Sequence, residues 1–298
     1  MVKSEYWTVA YRKREAGKTI LDDINSTFSI IPNPKRYWCA DPFVFTYQDR
    51  TFLFAEMYDN KPHRGVIGYC ELTDGGPTEW KVIIREKYHL SYPYIFAWND
   101  DIYMIPESYV ANEIGLYKAK KFPDTWEKVD TILQNFCTVD STMFMRENKF
   151  WMLTQKQPEG TLILYPMDAD CKIAGNAVVA QTSAEQNRPA GKLFEWRGKH
   201  IRPAQDCSEG YGSALNFYEV DKVSTTEFQE HIIRKINAKD IASNHALPAE
   251  GIHTYNFTDK YEVIDIKNYK IERFWFFKRV YRALYWRVEK LFGVLNEL

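Results

Sequence analysis

The sequence predicts an all-β protein, a five-bladed β-propeller over residues 1–268 followed by a C-terminal amphipathic α-helix over residues 269–298. Three observations support this prediction. One hairpin pattern recurs four times, its copies lie about 50 residues apart, and aromatic residues make up 16% of the chain, as suits packed β structure. The chain, with 298 residues, is long enough for one domain of this size.

Each copy starts with a short strand that ends in Phe and continues through a polar turn into a strand that ends in Glu or Gln. The Phe precedes the Glu or Gln by 11 positions in every copy, and the Phe residues are separated by 51, 48 and 50 positions. The pairs are Phe45 with Glu56, Phe96 with Glu107, Phe144 with Gln155, and Phe194 with Gln205. The central turn residues are then 48–49, 99–100, 147–148 and 197–198, and all four pairs are polar.

Two further strand-like runs follow each hairpin, and four antiparallel strands per repeat are typical of a propeller blade. A degenerate fifth copy lies at residues 253–257 and 261–266. The run Tyr6–Tyr11 precedes the first blade, and we expect it to complete the last blade and close the ring.

The C-terminal segment changes character. Its apolar residues lie at alternating steps of three and four, which is a helical stripe: Phe274, Phe277, Tyr281, Leu284, Val288, Leu291 and Leu295. Basic residues lie mostly off this stripe. The predicted helix either docks on the propeller, binds an anionic membrane surface through residues 271–295, or forms a dimer seam.

Composition excludes several classes of protein. The formal net charge of -1 argues against a nucleic-acid partner. Five scattered cysteines without a CxxC pair predict reduced thiols rather than a disulfide framework or a zinc site. No metal site or cofactor motif is found, and the histidines, His89 among them, lack ligand spacing and are expected at the surface or in the core. The N-terminus has no apolar signal region, so the expected location is the cytoplasm.

The first strand of each blade lines the central channel, and loops at one mouth usually build the site. The residues expected near that mouth are Asp41, Tyr92, Asp140, the corner at residues 188–190, and His253. The hairpin geometry places Glu56 opposite Asp41, Glu107 opposite Tyr92, Gln155 opposite Asp140, and Gln205 opposite Ala190. Clustered carboxylates raise one another's pKa, which gives the separated acid and base roles that glycosyl transfer requires. Alternatively, these polar residues only tie loops together.

Blade four differs from the others because it carries a dense polar set: Arg188, Lys192, Arg202, Gln205 and Asp206. Arginine side chains there could hold a carboxylate or a phosphate through paired hydrogen bonds. The alternative is that both arginines neutralise neighbouring acids.

Several runs carry a family resemblance: Tyr37–Phe45 (YWCADPFVF), Phe52–Glu56 (FLFAE), Ile105–Ser108 (IPES), Arg188–Gly191 (RPAG) and Ile201–Cys207 (IRPAQDC). Residues 5–268 resemble the N-terminal propeller domain of plant glucosamine inositolphosphorylceramide transferases, which has related domains in bacterial surface-polysaccharide clusters. More distantly, the chain is similar to the five-bladed glycosidases of family 43.

The glycosidase resemblance implies that Asp41 is a catalytic carboxylate and that Asp140 orients or tunes the reaction. Such enzymes take their general acid from a glutamate early in blade four. Here that stretch reads Gln186–Ala190 (QNRPA) with only Glu185 nearby, so the acid is missing or displaced, with Glu107 as the candidate. An axial calcium ion near His253 is implied by the likeness alone.

These observations predict a carbohydrate-active, glycosyltransferase-like protein of bacterial surface polysaccharide or glycolipid biosynthesis. We expect it at the cytoplasmic face of the membrane, acting on a glycan or glycolipid with a nucleotide- or lipid-linked sugar. The predicted catalytic residues are Asp41, Asp140 and Glu107, and the predicted substrate-binding residues are Glu56, Tyr92, Arg188, Arg202, Gln205, Asp206 and His253. A glycoside hydrolase and a non-catalytic glycan-binding module are the alternatives.

Overall fold

The computed structural model describes residues 2–180 and 187–272. These residues form five antiparallel sheets, and the predicted five-bladed propeller is confirmed. In chain order the strands are β1 (Val2–Lys13), β2 (Ser29–Ile30), β3 (Tyr37–Tyr47), β4 (Arg50–Asp59), β5 (Arg64–Thr73), β6 (Gly76–Pro77), β7 (Lys81–Ile84), β8 (Ser91–Trp98), β9 (Asp101–Glu107), β10 (Glu113–Lys121), β11 (Thr125–Gln134), β12 (Thr138–Arg146), β13 (Lys149–Lys156), β14 (Thr161–Met167), β15 (Val178–Val179), β16 (Arg188–Pro189), β17 (Phe194–Trp196), β18 (Lys199–Asp206), β19 (Ala214–Val223), β20 (Phe228–Asn237), β21 (Tyr255–Phe257) and β22 (Tyr261–Glu272). Two single-turn 3-10 helices, Tyr109–Ala111 and Ala238–Asp240, are the helical segments within these ranges.

Each of the first four blades is continuous in sequence. Blade one contains β3 to β7, blade two β8 to β11, blade three β12 to β15, and blade four β16 to β20. Blade five is built from both ends of the described chain, in the order β21, β22, β1, β2. The predicted closure of the ring by the N-terminal strand is therefore confirmed.

The closing contact is the longest strand pairing. β1 and β22 run antiparallel, with Val2 opposite Glu272 and Lys13 opposite Tyr261. β22 extends four residues beyond the boundary at 268 that the sequence analysis places between propeller and helix. Residues 273–298, which hold the rest of the predicted helix, lie outside the described residues.

The four predicted two-residue turns lie at the predicted positions. At residues 48–49, 99–100, 147–148 and 197–198 both central residues have positive φ, between 47° and 76°. This is the backbone of a type I′ turn, which links two strands because its twist matches theirs. Polar side chains and one glycine therefore appear at these positions.

Aromatic rings fill the space between neighbouring blades. Phe43 of blade one stands edge-to-face on both Tyr92 and Tyr94 of blade two, with ring centroids 4.8 and 5.8 Å apart. All five cysteines are free thiols, as the sequence predicts, and three of them are buried. Within the described ranges, the structure has no helix with the length and apolar character needed to span a membrane.

Candidate functional site

A cavity of about 710 Å³ opens at one end of the propeller. Its floor carries the buried carboxyl groups of Asp41, Glu56 and Glu107 from blades one and two. Arg188 from blade four also lines it. The repeat thus brings four of the predicted site residues to one cavity.

A repeated backbone distortion aims the side chains at this end. Asp41, Tyr92 and Asp140 occupy equivalent positions in blades one, two and three, with φ of 51°, 43° and 53°. At each position the inner strand has one residue more than its partner, which is a β-bulge. Left-handed backbones of this kind cost roughly 1–3 kcal/mol each and concentrate at functional sites.

The bulges correct the predicted pairing. The observed partners are Ala40 for Glu56, Ser91 for Glu107, Val139 for Gln155, and Arg188 for Gln205. In the first three blades the extra inner-strand residue moves the partner by one position. In blade four the observed partner of Gln205 lies two positions before the predicted one, because β16 and β17 are separate short strands on β18.

Asp41 lies on the floor with both carboxyl oxygens engaged. Oδ2 accepts the backbone N–H of Tyr92 at 3.2 Å, and Oδ1 accepts the hydroxyl of Thr254 at 3.0 Å. Burial raises the pKa of Asp41 to about 6, although the nearby His253 opposes the shift. The group is therefore mostly an anion at neutral pH and can act as a base.

Glu107 has a different environment. Its carboxyl accepts the Ser91 hydroxyl at 2.5 Å and the backbone N–H of Tyr109 at 2.6 Å. Burial raises the pKa of Glu107 to about 7, against these two hydrogen bonds. This group carries a proton on about half of the molecules at neutral pH, so it can supply an acid.

Glu56 is the third floor carboxyl. Burial, and then the charges of Asp41 and Glu107, raise the pKa of Glu56 well above its usual value. Its Oε1 accepts no hydrogen bond from the described residues, although Nε2 of His89 lies 3.4 Å away. Glu56 therefore holds its proton more tightly than an exposed glutamate does, and Oε1 is free of donors from the described residues.

Asp140 and Arg188 form a buried ion pair beside the floor. Nε of Arg188 donates to Oδ2 of Asp140, and the Gln205 side chain donates to the same oxygen at 2.9 Å. Burial disfavours the charge of Arg188, but Asp140, together with Tyr211 and Glu107, outweighs this effect and raises the arginine pKa well above its usual value. The guanidinium, with 22% of its side chain exposed, brings a fixed positive charge to the cavity.

His253 lies next to Asp41, as the fifth-blade position predicts. Its Nδ1 is 3.7 Å from Oδ1 of Asp41 and 2.6 Å from Oδ2 of Asp265. These three residues place one donor atom each within 4.8 Å of one another, so they are the candidates for the calcium ion that the family likeness implies. They do not fit it, because the imidazole and Asp265 are hydrogen-bonded to each other and Asp265 also accepts backbone N–H groups.

The rim of the cavity is basic and aromatic. Three lysines, Lys35, Lys61 and Lys270, line it together with one exposed acid, Glu5. Trp38 and Tyr58, cross-strand partners on β3 and β4, stack with centroids 4.5 Å apart and planes 10° apart. The cavity thus combines an acidic floor with a basic rim.

Of the seven predicted substrate-binding residues, Glu56 and Arg188 line the cavity, whereas five do not: Tyr92, Gln205, His253, Arg202 and Asp206. The last two also make their contacts away from its floor. Arg202 is 1% exposed and is bound by Glu230 through two hydrogen bonds, at 2.7 and 2.5 Å. Asp206 pairs with Lys235 at 2.8 Å and accepts hydrogen bonds from Ser208. Both side chains hold blade four together, so the prediction for them is wrong.

Other cavity residues escaped the sequence reasoning. His89 was expected at the surface or in the core, but it faces Glu56, and its Nδ1 accepts the backbone N–H of Gly65. Burial lowers the pKa of His89 to about 4, so the ring is neutral at neutral pH. Ser91 and Tyr211 also line the cavity. Ser91 is the cross-strand partner of Glu107, so the repeated hairpin could have identified it. His89 and Tyr211 lie between the repeated strands, where the repeat gives no signal.

Comparison with known proteins finds one matching family. Residues 28–259 match the model of the N-terminal region of glucosamine inositolphosphorylceramide transferase 1. The proteins of that name from Oryza sativa subsp. indica and Arabidopsis thaliana are 31% and 29% identical over 205 and 204 residues, or 64% of this chain. The matched part is 27% and 26% of the length of those relatives.

Solved structures show the same fold. The catalytic domain of a GH62 α-L-arabinofuranosidase from Coprinopsis cinerea is 12% identical with a TM-score of 0.59, over 84% of this chain and 83% of that domain. An endo-arabinase from Bacteroides thetaiotaomicron is 12% identical with a TM-score of 0.53, over 79% and 96% respectively.

Proposed function

The chain belongs to the family of N-terminal domains of glucosamine inositolphosphorylceramide transferases, and we propose that it transfers a glycosyl group to or from a phosphate-bearing glycolipid. The observation that carries the proposal is the pair of floor carboxyls with pKa values raised to about 6 and about 7. Acid–base catalysis of glycosyl transfer needs two carboxyl groups in different protonation states within one cavity.

In this proposal Asp41 is the base or nucleophile and Glu107 is the acid. Arg188 occupies the early part of blade four, where the resemblance to family 43 implies a carboxylic acid. Its fixed positive charge suits an anionic group, such as the phosphate of a donor or acceptor. Asp140 positions the guanidinium through their ion pair. Glu185, the other candidate acid, lies outside the described residues.

The charge pattern supports a substrate with two different parts. A neutral or amino sugar suits the acidic floor, while a phosphate suits the rim lysines Lys35, Lys61 and Lys270. The flat face of Trp38 provides an apolar surface for a sugar ring. Lipid-linked and nucleotide-linked sugars share this phosphate chemistry, and the experiment below separates them.

The position of the tail supports a membrane-facing cavity. Lys270 lines the cavity, and the chain continues from Glu272 into the basic, aromatic segment 273–298. The sequence of that segment predicts an amphipathic helix with basic flanks, and a helix of this kind binds an anionic lipid surface. The cytoplasmic face of a membrane and a role in bacterial surface glycans remain part of the proposal.

The test is an NMR-monitored incubation of the full chain with nucleotide sugars, simple glycosides, and phosphoinositol lipids in bicelles. We expect new anomeric signals that are lost in Asp41→Asn and strongly reduced in Glu107→Gln. Asp206→Asn is the matched control, since it removes a buried carboxylate outside the cavity and should retain turnover. Lipid-bound product identifies transfer, whereas free sugar identifies hydrolysis instead.

A non-catalytic glycan-binding module is the second candidate. The observation that favours it is that Asp41 is held by two protein donors, as a purely structural carboxylate would be. It predicts saturation-transfer contacts with a glycan in both the wild type and Asp41→Asn, without turnover in either.

Co-sedimentation with anionic liposomes tests the proposed membrane binding, and it should be lost when the chain is truncated after Glu272.

A further inference from the structure

Five buried carboxyl groups lie at the cavity end of the propeller: Asp41, Glu56, Glu107, Asp140 and Asp265. Arg188 offsets one of them through its ion pair with Asp140. A second positive charge beside Asp41 would stabilise the remaining acids. The calcium ion implied by the likeness does not fit the residues there, which leaves a charged side chain of the protein as the source of that charge.

The hydrogen bonds of Asp265 explain why a metal ion does not fit. Oδ1 accepts the backbone N–H groups of His253 and Thr254 at 2.9 and 3.0 Å. Oδ2 accepts the backbone N–H of Asp41 at 2.9 Å and lies 2.6 Å from Nδ1 of His253. Four donors occupy the four lone-pair positions of the carboxylate. A metal ion would have to displace donors that belong to the fixed backbone of the inner strands.

The surroundings of His253 favour the charged ring. The carboxyl group of Asp265 already accepts three backbone N–H groups, so its 2.6 Å contact with Nδ1 of His253 places a proton on that nitrogen. An oxygen of a second carboxyl group, Asp41, lies 3.7 Å from the same nitrogen, and two carboxylates this close to a ring favour its cationic form. The ring is 2% exposed and stacks on Trp7, with centroids 3.8 Å apart and planes 14° apart. A cation over an indole face is stabilised by the ring quadrupole.

Some charged groups on the neighbouring strands raise the pKa of His253, and others lower it. Asp265 on β22 and Asp41 on β3 raise the pKa of His253 against the effect of burial, and Arg188 on β16 lowers it. Lys267 on β22 lies 5.5 Å from the Trp7 ring and hydrogen-bonds the backbone oxygen of Tyr211. The two carboxylates are nearest, with oxygens 2.6 and 3.7 Å from Nδ1.

We propose that His253 is an imidazolium that provides the axial positive charge in place of a metal ion and keeps Asp41 ionised. His253 is then a positioning residue that acts through Asp41. The effect on Asp41 as a base rests on the proposed function, but the charge on His253 does not.

The test is an NMR pH titration of the full chain labelled with ¹⁵N-histidine, the His253 signals being assigned by their loss in His253→Gln. We expect both ring nitrogens of His253 to be protonated at pH 7. Asp265→Asn keeps the side-chain size but removes the charge, and should lower the pKa of His253 by about one unit or more. The matched control is Asp221→Asn, because Asp221 holds His231 at 2.7 Å on the surface; it should leave the His253 signals unchanged.

An unprotonated ring nitrogen in the wild type at pH 7 would overturn the proposal. If Asp265→Asn does not fold, Asp41→Asn replaces it and should lower the His253 pKa by a smaller amount. Thermal unfolding with calcium and with EDTA gives a second readout, and we expect no difference between them. Stabilisation by calcium that requires Asp265 would show that a metal ion takes this place. These readouts need no substrate, so a failed turnover assay leaves them valid.

Discussion

Removal of the ionisable group of Glu107 should make the protein more stable at alkaline pH and should flatten its stability profile. Burial raises the pKa of Glu107 from 4.5 to about 7. The folded protein therefore holds this proton more tightly than the unfolded chain does. The stabilising contribution is fully present below the unfolded pKa of 4.5 and is lost as the pH rises through about 7.

The shift of about 2.5 units gives the magnitude. At 1.36 kcal/mol per unit, the proton on Glu107 accounts for about 3 kcal/mol of stability, of which about 2.5 kcal/mol is lost between pH 5 and pH 8. Glutamine is neutral at every pH and keeps an oxygen for the N–H of Tyr109. The altered hydrogen bond to Ser91 costs about 1 kcal/mol at all pH values. Glu107→Gln should therefore exceed the wild type in stability by about 2 kcal/mol at pH 8.

The assay is urea unfolding of both proteins at several pH values between 5 and 8. The difference in the free energy of unfolding between variant and wild type should grow with pH by about 2.5 kcal/mol. Glu195→Gln, which alters an exposed glutamate, is the control and should follow the wild type. A difference that does not change with pH would refute the raised pKa and, with it, the role of Glu107 as the acid.

Three further predictions test the fold. Gly191→Ala should destabilise by about 3 kcal/mol or more, because φ is +144° and the new Cβ would lie 2.0 Å from a backbone oxygen. Gly17→Ala, with φ of +75° in open space, should cost only about 1 kcal/mol, and the two urea midpoints give the comparison. Arg202→Met or Glu230→Gln should each cost about 3–5 kcal/mol by leaving a buried charge unpaired, while methionine at both positions should recover most of that loss in thermal unfolding. Replacement of Glu147-Asn148 by Asn-Gly should stabilise by about 0.5–1 kcal/mol in the same assay, since both positions have positive φ, and an unchanged midpoint would contradict the turn assignment.

The parts of the fold that the sequence predicted are those that depend on local chemistry. Type I′ turns need residues that tolerate positive φ, so each turn left a polar pair at its own position. The spacing of Phe and Glu or Gln followed, because the hairpin length is fixed by the turn. Asp41, Glu56, Glu107 and Arg188 came to one cavity since equivalent positions of a propeller meet at the same end.

The errors have two physical causes. The bulges at Asp41, Tyr92 and Asp140 insert one residue into the inner strand, and a regular hairpin cannot anticipate this. Proline after Asp41 and Tyr92 is the available signal, because proline inside a strand marks an edge or a bulge. Arg202 and Asp206 were misplaced because strand alternation was not applied. They differ by an odd number from Gln205, which contacts Asp140, so they belong to the opposite face of β18.

The buried carboxyl groups of this propeller differ in how many hydrogen bonds they accept. Asp265 accepts four donors and joins the inner strands of blades one and five, so its charge is fully used by the fold. Glu107 and Asp41 accept two donors each, and an oxygen of Glu56 accepts none from the described residues. A carboxyl with few donors keeps a raised pKa and lone pairs available to a ligand. The acids with raised pKa values, which reduce the stability of the fold at neutral pH, are therefore the ones that line the cavity. This is expected if the lost stability is tolerated because these groups act on a substrate.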